Sequence, residues 1–398
     1  MTEAVIVDAV RTPLGKGKPG GALSGINAVD LLAHPLEAVV ARTGIDPAVI
    51  DDVIVGAVTQ SGEQGFNIGR RAVLAAGYPE RVPATTIDRQ CGSSQQAIHF
   101  AAQGIAAGAY DVVVAAGVES MSRVPMGANT VGADVVGEKL AQRYPEGPMI
   151  PQGIAAERIA AKWHLDRERL DAFALRSQQL AAAAQDEGRF DDEIAPIKVT
   201  QADGSVVEIS TDEGIRPSTA EGLAGLRPAF QDEYFAERYP EIEWSTTAAN
   251  SSQLTDGAAA VLLTSAEKAA ELGLRPRARI HTAVVEGDDP TFMLTAIIPA
   301  TKKLLAKAGL TIDDIDLFEV NEAFASVVLA WIDELGADAE KVNVNGGAIA
   351  LGHPLGGSGA RLTATLLNAL EQRGARYGLQ VMCEAGGLAN AMIIERLD

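Results

Sequence analysis

The feature that most restricts this chain's fold is a repeat. Ile50-Asp51-Asp52-Val53-Ile54-Val55 is echoed by Ile312-Asp313-Asp314-Ile315-Asp316-Leu317, an offset of 262 residues that carries position 51 to 313. Farther on, Gly108-Ala109-Tyr110-Asp111-Val112-Val113-Val114 is echoed by Gly374-Ala375-Arg376-Tyr377-Gly378-Leu379-Gln380-Val381, with a few residues inserted. Echoes that keep the same order point to an internal duplication. The echoed segments are strand-like apolar runs that alternate with helical ones, which predicts two α/β halves related by a pseudo-twofold. The same offset carries Cys91 to His353, so both residues are expected after a strand, before a helix and at one shared interface.

Within the first half, strands are expected at 4–10, 53–58, 84–88 and 111–117. The last is a continuous Val/Ala run of the kind buried on both sheet faces. Helices are expected at 27–43, despite His34-Pro35, at 72–76 and at 97–108. From Glu119 to about Asn250 the pattern changes. Residues 121–152 are rich in Gly, Pro and Val without periodicity and read as an irregular functional insertion. Asp166 caps an amphipathic helix that Gly188 stops. Residues 198–209 alternate as a hairpin around Ala202-Asp203-Gly204. The expected organisation is therefore an N-terminal α/β half at 1–120, a lid or substrate-contact domain at 121–250 and a C-terminal α/β half at 251–398.

The formal net charge of −20 argues against binding nucleic acid or an anionic membrane through the bulk surface. No apolar stretch reaches membrane-spanning length, and the start of the chain has an acid where a signal peptide needs bases. Two cysteines 292 residues apart, Cys91 and Cys383, are too few for a disulfide scaffold or a Cys-rich zinc site. A soluble, cytoplasmic protein is expected.

Cys91 lies in Asp88-Arg89-Gln90-Cys91-Gly92-Ser93-Ser94-Gln95-Gln96 at a helix start, where free N–H groups and the helix dipole favour an anion. A lowered thiol pKa is one expectation there; a small buried cysteine is the other. Of the five histidines, His34, His99, His164 and His281 sit in helix, strand or cap patterns that suit structural or surface roles. His353 is flanked by Gly and Pro and precedes a Gly-rich turn, which suits a catalytic base. The run from Gly346 to Gly359 lacks the Gly-Lys-Ser/Thr ending of a phosphate loop. Asn321 and Glu322 are open to either a structural or a functional role.

These segments carry a resemblance. Cys91-Gly92-Ser93-Ser94, Gly117-Val118-Glu119-Ser120-Met121-Ser122, Asn321-Glu322-Ala323-Phe324-Ala325, Asn345 through His353-Pro354, and Cys383 closely resemble the thiolases, in order and over almost the whole chain. The resemblance implies the thiolase fold: duplicated βαβαβαββ halves, a five-layered α-β-α-β-α core and a loop insertion. It implies an acyltransferase that cleaves a 3-ketoacyl-CoA with CoA, by ping-pong chemistry through an acyl-cysteine. Cys91 would be the nucleophile, His353 its activator, and Asn321 the holder of a water that binds the thioester oxygen with His353. Cys383 would be the acid/base, and the N–H groups of Cys91 and Ala385 a second oxyanion hole. CoA would be contacted by Arg216, Phe230, Ser252, Ala323 and Phe324. CoA enters as a substrate, with no metal or redox cofactor, and a homo-oligomer, dimer or tetramer, is implied.

Departures bear on the substrate. Pro151-Gln152-Gly153 replaces the His-Met-Gly usual in acetoacetyl-CoA thiolases, Ala248-Ala249-Asn250 replaces Ala-Gly-Asn, and Glu384-Ala385-Gly386-Gly387 replaces Ile-Gly-Gly-Gly. A more Gly-rich segment is replaced by 293–298. Residues 90–96 and 287–290 look like degradative thiolases of actinobacterial lipid and steroid catabolism. The alternatives are an acetoacetyl-CoA thiolase working in the condensing direction and a non-catalytic acyl-CoA-binding relative. The latter predicts loss of one of Cys91, Asn321, His353 or Cys383, and all four are present. A ketoacyl synthase would pair its cysteine with two histidines, where this chain has Asn321 and Cys383.

Overall fold

The computed structural model describes residues 2–397 apart from 146, 148, 149 and 202. The first half runs β1 (Ala4–Arg11), α1 (Ala28–Thr43), β2 (Asp52–Gly56), α2 (Ile68–Ala75), β3 (Ala84–Ile87), α3 (Ser93–Ala106) and β4 (Val112–Ser120). Helix α1 starts where Asn27 Oδ1 accepts from Val29 N–H and ends at Gly44, whose φ of 67° suits a glycine. It passes unbroken through Pro35, which is buried within it. The insertion contributes α4 (Gln152–Lys162) and α5 (Arg167–Asp186), the latter capped by Asp166 as expected. It also carries the hairpin Ile197–Thr200 with Val206–Ile209; Ala202 of its expected turn lies outside the described residues. So do 146, 148 and 149 of the expected irregular segment, which otherwise includes a short helix at Gly137–Arg143.

Strand β5 (Thr255–Ser265) begins beyond residue 250, the expected start of the second half, yet lies between β1 and β4 in the first half's sheet. The second half runs β6 (Ala278–Gly287), α6 (Ile297–Ala308), β7 (Leu317–Val320), α7 (Ala325–Leu335), α8 (Ser358–Arg373), β8 (Tyr377–Glu384) and β9 (Leu388–Arg396). The strand order is β7-β8-β9-β6-β1-β5-β4-β2-β3, and the halves join through Val5 opposite Arg279 and Ile6 opposite Ala278. Parallel pairing of β2 with β4, and of β7 with β8, fits strands buried on both faces, while β3 pairs with β2 as a half-buried edge strand.

Apolar clusters define the layers. Residues of α1, α2, β2 and β4 form one. Those of α3, α8 and the sheet faces on either side of them form a central one. Those of α4, α6, α7 and β8 form a third. The result is helix, sheet, helix, sheet, helix: the five-layered duplicated fold.

The duplication is real, but its register is 265 rather than 262. Asp51 Oδ2 accepts from the N–H groups of Asp111 and Val112, at 2.6 and 3.0 Å. Asp316 Oδ2 does the same for Arg376 and Tyr377, at 2.8 Å each. Ser93 and Ser358 each open the central helix of their half. The text match slipped because the second half holds Ile-Asp twice, at 312–313 and 315–316. The structure therefore pairs Cys91 with Gly356, and His353 lies three residues before that mate. After the helices, Gly108 matches Gly374 but Asp111 matches Arg376, so that loop is one residue shorter in the second half rather than longer.

The insertion is tied to β1 by a buried ion cluster. Arg11 bonds Glu193 at 2.6 Å and Asp212 at 2.7 and 2.9 Å, all without side-chain exposure. Asp212 also accepts from Leu14 N–H at 2.8 Å. Among the described residues no helix is long and apolar enough to cross a membrane.

Candidate active site

Cys91 sits just before α3, in a turn where Gly92 N–H donates to Arg89 O and Ser93 N–H to Gln90 O. Gln90 takes a positive φ of 47° in this turn. The thiol is buried among Val58, Met121, Leu355, Leu362 and Met382. The expected lowering of its pKa is not found. Burial pushes Cys91 well above the ordinary thiol range, with further upward pressure from Cys383, Glu384 and Glu119. Desolvation of a thiolate outweighs what a helix start supplies. Cys91 is thus a thiol at rest, and any attack by its sulfur would need a base.

His353 presents a neutral imidazole held by its surroundings. Its Nδ1 lies 2.6 Å from Ser358 Oγ, and Ser358 O–H donates to Pro354 O at 3.1 Å. Since Ser358 gives its only proton away, it accepts from His353 Nδ1–H, and the lone pair is left on Nε2. Nε2 is buried without a hydrogen-bond partner among the described residues. Burial, helped by the charge of Arg361, lowers the imidazole to about 3, so it is neutral at physiological pH. Its backbone is pinned as well: His353 N–H donates to Thr255 Oγ1 at 3.0 Å and to Gln253 O at 3.2 Å.

Cys383, near the end of β8, is the second buried thiol. Asn321 Nδ2 approaches its sulfur at 3.6 Å and Asn321 O at 3.8 Å. Burial raises it to about 11, with the Asn321 amide pulling the other way. Asn321 Oδ1 is buried and unpartnered among the described residues. Ala385 follows at the start of the β8–β9 turn, where Gly386 and Gly387 take φ of 85° and 77°.

Glu322, open in the sequence, proves structural. It accepts from Ser177 Oγ at 2.7 Å, Asn343 Nδ2 at 2.9 Å and Ile349 N–H at 3.0 Å, and so holds the loop that leads to His353.

A cavity of about 630 Å³ leads to His353. One side is apolar, from Met121, Met126, Leu254 and Leu355; another is formed by Gly153, Phe230, Ser252 and Phe324. Phe230 meets Phe324 edge-on at 5.9 Å. A β-carbon on Gly153, in the first turn of α4, would collide with the Phe230 ring, so the glycine lets that ring pack directly on the helix backbone. Ala323 is buried behind Ser252, its carbonyl accepting Ser252 N–H at 2.9 Å. Arg216 is exposed and lines no part of this cavity. Its N–H donates to Gln178 Oε1 at 3.0 Å, two residues beyond Gly214, whose carbonyl accepts from the cavity residue Gln253. Among the described residues no group of three or more His, Cys, Asp or Glu is placed to hold a metal ion.

Sequence reasoning missed two supporting groups, Ser358 and Thr255, which fix the ring and backbone of His353. Ser358 had a signal, five residues after His353 in the Gly-rich run. Thr255 had none, because only the fold brings it there.

Two family models divide the chain between them: the thiolase N-terminal domain matches residues 4–267 and the thiolase C-terminal domain residues 274–396. The steroid 3-ketoacyl-CoA thiolase FadA6 of Mycobacterium tuberculosis is 50% identical over 405 residues, covering 100% of this chain and 95% of that protein. A 3-ketoacyl-CoA thiolase of Citrobacter koseri is 46% identical over 403 residues, covering 100% of both. Among solved structures, the Bacillus anthracis acetyl-CoA acetyltransferase superposes with a TM-score of 0.89 at 41% identity, covering 100% of this chain and 99% of that one. The human mitochondrial 3-ketoacyl-CoA thiolase gives 0.88 at 38% identity, with the same coverage.

Proposed function

The chain belongs to the thiolase family, and from that premise we propose how its residues divide the work. The enzyme is an acyltransferase that cleaves a 3-ketoacyl-CoA with CoA, giving acetyl-CoA and an acyl-CoA two carbons shorter. His353 Nε2 takes the proton of Cys91, and the thiolate attacks the keto carbon. Cys383, protonated at rest, gives its proton to the acetyl-CoA enolate as the carbon–carbon bond breaks. The acyl group stays on Cys91 until CoA, deprotonated by Cys383, attacks the thioester. A thiol of high pKa suits proton exchange with a carbanion-like enolate.

Two oxyanion positions follow. In one, His353 and a water on Asn321 would hold the thioester oxygen. In the other, the Cys91 and Ala385 N–H groups would hold the oxygen that becomes negative on attack. The turn's Gly92 and Ser93 amides are already engaged, so the Cys91 N–H is the one that it can offer. The insertion, residues 121–250, acts as the CoA-contact lid, with its Phe230 and, just beyond it, Ser252 on the pantetheine arm beside Phe324 and Ala323, and Arg216 on the adenine end.

One observation carries this reading: a neutral imidazole with its lone pair turned inward, and two buried thiols that are both protonated at rest. The apolar wall of Met121, Met126, Leu254 and Leu355 favours acyl groups larger than acetoacetyl, in line with degradation of fatty-acid or steroid side chains. Cleavage rates across a panel of 3-ketoacyl-CoA chain lengths test it. A maximum beyond four carbons supports cleavage of larger chains. Activity confined to acetoacetyl-CoA selects the condensing acetyltransferase instead, and no turnover with any member selects an acyl-CoA-binding protein. We further assign a cytoplasmic homo-oligomer, dimer or tetramer. Its support is the edge strand β3, which has half-buried residues and Phe66 standing 95% exposed beside it.

A further inference from the structure

The pseudo-twofold that relates the halves exposes an inequality between two glutamates. With the register of 265, Glu119 at the end of β4 matches Glu384 at the end of β8. Glu119 is saturated: it accepts from the N–H groups of Val58, Thr59 and Gly356 at 3.0, 3.0 and 2.9 Å, and from Gln64 Nε2 at 2.7 Å. The mate of Gly356 is Cys91, so the symmetry that places Gly356 N–H on Glu119 directs the Cys91 N–H toward Glu384. Glu384 is fully buried, yet neither carboxylate oxygen has a hydrogen-bond partner among the described residues.

The surroundings of Glu384 explain what it does instead. A β-carbon on Gly92 would collide with Glu384 Oε1, so the carboxyl lies directly against the nucleophile's turn. The same point is 3.2 Å from Asn390 Oδ1, another buried acceptor without a donor. Asn390 Nδ2 is committed to Gln96 Oε1 and His99 Nδ1, both at 3.1 Å. Two unpartnered acceptors that both lie within 3.2 Å of one point are relieved by a proton between them, and buried carboxyls without donors take the neutral form.

We propose that Glu384 is a positioning residue of the acyl-transfer reaction: a carboxylic acid that keeps its proton, donates it to Asn390 Oδ1, and so leaves the Cys91 N–H to the oxyanion. An ionised Glu384 would compete for that N–H and oppose thiolate formation at Cys91. The charged and titratable groups around it are Asp88 and Arg89 before α3, Cys91 and His99 on the α3 side, Cys383 on its own strand, and Glu119 and Lys307 farther off. Burial holds the acid well above the usual carboxylate range, outweighing the charge of Arg89 and the backbone N–H of Asn390, which both favour its ionised form. His99, buried and neutral, closes the network without adding charge.

The proposal rests on Cys91 as nucleophile, and the test separates the two. Infrared difference spectra of the wild-type enzyme minus Glu384→Gln at neutral pH should show the carbonyl stretch of a protonated acid; loss of a carboxylate band would overturn it. In turnover, Glu384→Ala should lose about tenfold or more in kcat, and Glu384→Gln, which keeps a neutral hydrogen-bonding head, should recover most of that loss. Glutamine no better than alanine, or an alanine variant as fast as wild type, would overturn the role. Mass mapping of iodoacetamide inactivation to a residue other than Cys91 would sink the nucleophile assignment, while the infrared result would still decide the state of Glu384.

Discussion

His353 Nδ1 sits 2.6 Å from Ser358 Oγ, and that hydroxyl donates its own hydrogen bond to Pro354 O. A five-residue reach at the head of α8 thus sets which imidazole nitrogen is basic. Ser358→Ala removes the acceptor and lets the ring hold its proton on Nε2, the nitrogen proposed to take the Cys91 proton. We expect kcat to fall by about 10- to 100-fold with little change in KM, and Ser358→Thr to restore most of it. Steady-state kinetics on one 3-ketoacyl-CoA suffice; an unchanged kcat in the alanine variant contradicts the tautomer assignment.

The burial of two histidines sets an acid limit to stability. His99 and His353 are both lowered from 6.5 to about 3, chiefly by burial. The unfolded chain therefore binds these protons first as pH falls. Above about pH 6.5 neither contributes; between there and about pH 3 stability falls, by up to two protons' worth of slope. Urea midpoints measured from about pH 7.5 to 4 should drop, and His99→Gln should make the drop shallower. A pH-independent midpoint would contradict neutral burial of the pair.

Arg11 joins β1 to the lid through Glu193 and Asp212. Arg11→Met strands two buried carboxylates and should cost about 3–5 kcal/mol in urea unfolding. Limited proteolysis should then cut within 190–220 sooner than in the wild type. A loss under about 1 kcal/mol would show that the cluster does not hold the lid down.

Gly153→Val drives a side chain into the Phe230 ring. If that ring carries the pantetheine arm, KM for CoA should rise by about tenfold, while the rate of Cys91 alkylation by a small reagent stays within about twofold. An unaltered KM would move the CoA site away from Phe230.

Much of the fold was legible because the physics is local. The Val112–Val114 run, the Asp166 cap and the glycine stop at 188 each announce their element without help from the rest of the chain. The repeat was legible too, but not its register: Ile-Asp occurs twice near 312, and only the strand amides that Asp51 and Asp316 receive decide between them. The site was readable through its motif segments, whereas the protonation of Cys91 was not. A helix start favours a thiolate, burial opposes it, and burial is a property of the assembled layers. The same holds for Glu384, whose meaning depends on Gly92 and Asn390 meeting it from two other elements.

The division of labour between the two thiols is tested most directly by trapping. The enzyme is mixed with a 3-ketoacyl-CoA in the absence of free CoA, quenched in acid, digested, and the acylated peptide identified by mass spectrometry. The account predicts the shortened acyl group on Cys91 alone, absent in Cys91→Ala, and with Cys383→Ala failing to release acetyl-CoA at an appreciable rate. An acyl group on Cys383, or none on either cysteine during turnover, would contradict it.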